Sequence, residues 1–84
     1  MIRVEGKWSG KRASAIQWTG HNISECCAMV GASLEAVGQV LTVPDDDGVA
    51  PLNPGDWLIK PDDHAWLVSC YESMFRQIFN EVDE

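Results

Sequence analysis

Hydrophobic positions along this chain change their period several times, and each change marks an element. Ala13-Ser14-Ala15-Ile16-Gln17-Trp18 has the length and composition of a strand, with Ser14, Ile16 and Trp18 on one side and Ala13, Ala15 and Gln17 on the other. Thr19-Gly20 ends it. Ile23, Cys26, Cys27 and Val30 then fall at the i, i+3, i+4, i+7 spacing of one helical face. Asn22 precedes that face as an N-cap residue, Glu25 stands at the capping-box position, and Gly31 is the natural stop. The period continues through Leu34 and Val37, so a longer helix is the alternative, at a cost of about 1 kcal/mol for an interior glycine. The short helix is preferred.

Gly38 opens the β-branched run Gln39-Val40-Leu41-Thr42-Val43, closed by Pro44. Asp45-Asp46-Asp47-Gly48 reads as an acidic turn, and Val49 to Leu52 as a partial edge strand, because Pro51 removes a ladder donor. Asn53-Pro54-Gly55-Asp56 has the Pro-Gly centre of a type II turn, with Gly55 where φ must be positive. It delivers Trp57 to Lys60 as a strand, which Pro61-Asp62-Asp63 turns back into His64 to Cys70 as a hairpin. Ser73 is placed to cap one turn holding Met74 and Phe75, and residues 77–82 extend that helix or form a last strand. Residues 1–12, with weak alternation broken by Gly6 and Gly10, read as a mobile arm or an edge strand. The expectation is an α+β domain over residues 13–84: a small antiparallel sheet of four or five strands with one main helix across it and a short terminal helical turn or strand.

At 84 residues there is room for one core, and four tryptophans (Trp8, Trp18, Trp57, Trp66) supply large anchors for it. Trp18, Trp57 and Trp66 sit in strand-like segments and are expected in the core. Trp8 either packs on its own domain or stands out as a contact anchor. No apolar run approaches the ~20 residues that span a bilayer, and the opening residues lack the apolar stretch of a signal peptide, so the expected setting is the cytoplasm. Three cysteines without framework spacing fit reduced, partly buried thiols there.

The formal charge is −7, and it is unevenly spread. Arg3, Lys7, Lys11 and Arg12 face only Glu5 in the first twelve positions; thereafter two cations, Lys60 and Arg76, stand against twelve carboxylates. Such a body repels a nucleic acid, which excludes direct DNA or RNA binding, and attracts a basic protein surface.

Candidate chemistry is sparse. With Gly48 as the sixth residue of an EF-hand loop, ligands would fall on Val43, Asp45, Asp47 and Pro54, and two of these cannot serve. His21, Cys26, Cys27, His64 and Cys70 contain zinc-ligating atoms but no short paired spacing. His64 and Cys70 as base and nucleophile would lie ~20 Å apart along a strand. Cys26 or Cys27 with His21 lacks an orienting third group. No glycine-rich phosphate loop is present. The expectation is therefore a protein that is not an enzyme and needs no cofactor or metal.

Two segments carry a resemblance. Ala15-Ile16-Gln17-Trp18-Thr19-Gly20-His21-Asn22 resembles the A-I-Q-W-T-G-x-N opening, and Pro54-Gly55-Asp56-Trp57-Leu58-Ile59-Lys60 the P-G-D-W-I-I-K centre, of a group of small proteins encoded by bacteriophages and prophages. Gly48, in Asp46-Asp47-Gly48, stands where that group has the glycine of an L-E-G turn. Pro61 replaces the glycine that follows the centre, and the tail keeps only aromatic spacing in Phe75 and Phe79. The resemblance implies a phage protein and assigns no activity. Joined to the acidic body, it leads to an expected non-enzymatic inhibitor, an anti-CRISPR or other anti-defence protein. Such an inhibitor would be a monomer or homodimer bound to a basic bacterial host protein. Asp45, Asp46, Asp47, Asp62 and Asp63 on two turns, with Trp8, are the expected contacts. The alternatives are an assembly component of a phage particle and a small-ligand-binding module.

Overall fold

The strand predicted from Ala13 organises the larger of two sheets. In the computed structural model, which describes residues 1–45, 48–63 and 67–82, β1 spans Ile2–Gly6 and β2 Arg12–Gln17. Helix α1 follows at Ile23–Val30, then β3 (Glu35–Val37), β4 (Val40–Asp45), β5 (Gly48–Leu52), β6 (Trp57–Pro61) and β7 (Val68–Cys70). Helix α2 (Glu72–Ile78) and β8 (Phe79–Glu81) complete the described chain. The architecture is α+β, with an antiparallel five-stranded sheet in the order β7-β6-β2-β1-β8 and an antiparallel three-stranded sheet β3-β4-β5. Among the described residues no helix is long and apolar enough to cross a membrane.

The two-residue period of β2 divides the core. Ile16 and Trp18 point to one side, where they meet Cys26 and Met29 of α1, Leu58, and Leu41, Val43 and Leu52 of the small sheet. Ala13 and Ala15 point to the other, and their small size leaves room for Trp57, Ile59 and Phe75. Trp57 and Phe75 stack with ring centroids 3.9 Å apart and planes 2° from parallel. The large sheet is therefore covered on both faces, by α1 and the small sheet on one and by α2 on the other.

Several expectations are corrected here. Residues 1–12 are neither a mobile arm nor an edge strand: β1 pairs with β2 (Val4↔Ala13) and also with β8 (Val4↔Glu81), and Val4 is fully buried. The two readings of residues 77–82 merge, since α2 ends at Ile78 and Phe79 begins a strand. Asn22 does not cap α1 with its side chain. Its Oδ1 accepts from the Thr19 backbone N–H at 2.9 Å and the Thr19 hydroxyl at 3.0 Å, while its Nδ2 donates to the Gln17 carbonyl at 2.9 Å, so it holds the strand-to-helix turn instead. Ser73 lies inside α2, which starts after Tyr71 without a side-chain cap.

Gly31, Gly55 and the hairpin from Trp57 take the places read for them. Gly31 ends α1 with φ 78° and donates to the Cys27 carbonyl at 2.8 Å. Gly55 has φ 98°, and Asp56 N–H closes the turn on the Asn53 carbonyl at 2.9 Å. The hairpin from Trp57 pairs Trp57 with Cys70; His64 and Trp66 lie outside the described residues. In the small sheet, Pro44 does not close the strand but sits within β4. The pairs Pro44↔Val49 and Thr42↔Pro51 alternate with Leu41↔Leu52 and Val43↔Ala50, so both prolines fall on one set of pairs and leave the other set's donors intact.

Candidate interaction surface

The six cations determine how the acidic surface is presented. Arg3, on β1, directs its guanidinium at the Asp62 carboxylate through two contacts, Nη1 to Oδ1 at 2.8 Å and Nη2 to Oδ2, and Nη1 also donates to Ser14 Oγ at 2.8 Å. Lys11 Nζ pairs with Asp63 at 3.2 Å, and Arg76 Nε with Glu72 Oε1 at 2.7 Å. Lys7 Nζ donates to the Arg76 carbonyl at 2.9 Å and Lys60 Nζ to the Met29 carbonyl at 3.3 Å. Arg12 is also engaged, and its charge helps keep Asp62 ionised. Every lysine and arginine is thus held by the chain itself.

This geometry revises the expected contact set. Asp62 and Asp63 are not a free acidic turn; they are the counter-charges of the first twelve residues, brought there because β6 lies beside β2. The hydrogen bond from Arg3, and then the charges of Arg3 and Arg12, hold the Asp62 carboxyl below its ordinary range. Asp46 and Asp47 lie outside the described residues, and of Asp45 the backbone alone is described, as the end of β4. Rather than packing into the core, Trp8 stands 79% exposed in the β1–β2 connection, where Gly6 N–H closes on the Lys11 carbonyl at 2.9 Å. A hollow of about 210 Å³ beside it is floored by Ile78 and Phe79.

The thiols and the Glu72 cluster are structural in their surroundings. Cys26 is buried in the core, and desolvation, with Cys27 and Glu25 nearby, raises its pKa. Burial, aided by the carboxylates of Asp56 and Glu72, pushes Cys70 up to about 11, the opposite of an activated nucleophile. Glu72 Oε2 accepts the Trp57 indole N–H at 3.0 Å and also the Gln17 amide, and Arg76 lies 5.7 Å from the centre of the Trp57 ring. These bonds, from Trp57 first and Arg76 next, hold the Glu72 carboxyl low and fasten α2 to the sheet. Among the described residues no group of three or more His, Cys, Asp or Glu is gathered as a metal site.

The charge asymmetry read from the sequence maps onto one part of the fold. From Ala13 to Ile59 there is no lysine or arginine, whereas Glu25, Glu35, Asp45, Asp46, Asp47 and Asp56 all fall there. The fold makes α1 and the whole three-stranded sheet from this stretch.

No family model, curated protein or solved structure matches the chain.

Proposed function

We propose that this chain is a phage-encoded, non-enzymatic inhibitor that binds a basic surface of a bacterial host protein complex, an anti-CRISPR or other anti-defence protein acting by occupancy. The observation that carries the reading is the internal engagement of all six cations. Arg3, Lys11 and Arg76 are paired with Asp62, Asp63 and Glu72, and Lys7 and Lys60 are tethered to backbone carbonyls, while Glu5, Glu25, Glu35 and Glu81 form no ion pair among the described residues. With thirteen carboxylates against six cations the outward field is negative, and such a field steers a basic partner into place and raises the association rate. The high pKa of Cys70 and the tying of Glu72 into the Trp57 network both favour binding over chemistry.

The test is expression of the chain in bacteria whose CRISPR complex restricts a challenging phage. Plating efficiency should rise, and the defence complex should co-purify with the chain at low salt and dissociate at high salt. Unchanged plating, with no salt-sensitive complex formed, contradicts the reading. A ring or filament by light scattering would favour a particle component instead.

A further inference from the structure

A sheet face turned to solvent should alternate apolar inward with polar outward. The three-stranded sheet does not. Leu41, Val43 and Leu52 fill the core from its inner face. The register places Val40, Thr42 and Pro44 of β4 on the outer face, with Val37 opposite Val40, Val49 opposite Pro44, and Pro51 and Glu35 opposite Thr42. Five of these seven positions are apolar. Val37 is 75% exposed and Val49 70%, and Pro44 and Pro51 are exposed as well. Beyond Pro51 the apolar surface runs into a hollow of about 200 Å³ walled by Tyr71, Met74 and Asp56. Both tyrosine and methionine are exposed there.

Charge decides what covers this face. Glu35 lies on it, Asp56 on its flank, and no cation occurs anywhere in the stretch that builds it. A second copy laid on the same face would set two cation-free, acidic lobes against each other, and like charges across an interface cost several kcal/mol. A neighbouring strand has little edge to pair with: β3 is three residues long and β5 carries Pro51. We infer that the outer face of β3-β4-β5 is the docking surface, and that its partner is a protein surface with an apolar centre rimmed by lysine or arginine. This deepens, and rests on, the proposal that the chain binds a basic host protein. Val37 and Val49 are the apolar contacts and Glu35 the charged one.

The test uses a defined probe: a synthetic eighteen-residue helical peptide with leucines on one face and lysines on the other, titrated into isotopically labelled protein. Amide shifts should move at Val37, Val40 and Val49 and stay at rest near Trp8. The double variant Val37→Ser/Val49→Ser, whose exposed sites should leave the melting temperature unchanged, should bind roughly tenfold more weakly. The same peptide with glutamates for lysines should not bind. Equal affinity of the double variant, or shifts centred on the β1–β2 connection, overturns the assignment of the face while leaving the acidic-binder reading intact. No binding of the lysine peptide at any salt concentration overturns both. Concentration-dependent dimerisation abolished by the two serines also overturns the assignment, in favour of a second copy.

Discussion

Arg3 and Asp62 stand 59 positions apart in sequence and meet through paired guanidinium–carboxylate contacts, one at 2.8 Å, that fix the first strand to the turn after β6. The pair sets how the protein responds to acid. Asp62 has an ordinary carboxyl value of 3.8, and the folded chain lowers it, chiefly through the hydrogen bond from Arg3. A carboxyl lowered on folding contributes stability above its unfolded value, and that contribution is lost as pH falls through the folded value. The melting temperature of the parent chain should therefore drop below about pH 4, and that of Asp62→Asn, already lower at pH 7, should fall less steeply. Parallel acid limbs in the two curves would remove the pair from the account.

The Trp57–Phe75 stack joins α2 to the sheet, and Phe75 is 2% exposed. Phe75→Ala should lower unfolding stability by about 3–5 kcal/mol through lost transfer energy and the cavity left behind. Phe75→Leu should cost distinctly less. Urea unfolding followed by tryptophan fluorescence measures both, and a loss under 1 kcal/mol for the alanine variant would show that α2 is not anchored there.

Local elements were legible and distant pairings were not. The strand from Ala13, the helix from Ile23 to Val30 and the Pro54-Gly55 turn could be read because period, stop residue and turn chemistry lie within a few positions of one another. That β8 adds to β1, and that Asp62 neutralises Arg3, depends on segments tens of residues apart, which periodicity does not connect. The spacing of Asn22 to Glu25 fits a cap, but tertiary geometry gives its amide to Thr19 and Gln17 instead. The division into two sheets was not legible, because nothing in the run Val40-Leu41-Thr42-Val43 says which sheet it joins. Among the candidate contacts, the pairing of Asp62 with Arg3 and of Asp63 with Lys11 was not legible, because it runs across the sheet rather than along the chain.

Cys70 reports on the closeness of α2 and β7. With its pKa near 11, its thiolate fraction at pH 8 is ~100-fold below that of an ordinary thiol at 9.0. Alkylation of Cys70 by iodoacetamide at pH 8 should be slower in the folded chain by roughly tenfold or more, the greater nucleophilicity of a higher-pKa thiolate offsetting part of its scarcity, and should recover in urea. Equal rates in both states would mean that the thiol is neither buried nor shadowed by Asp56 and Glu72.

The central claim, that a cation-sequestered, negative surface brings this chain to a basic partner, is tested most directly by stopped-flow association with the purified host complex across ionic strength. The association rate should fall by tenfold or more between about 20 and 500 mM salt while the dissociation rate changes little, as steering by charge requires. An association rate independent of salt would contradict it.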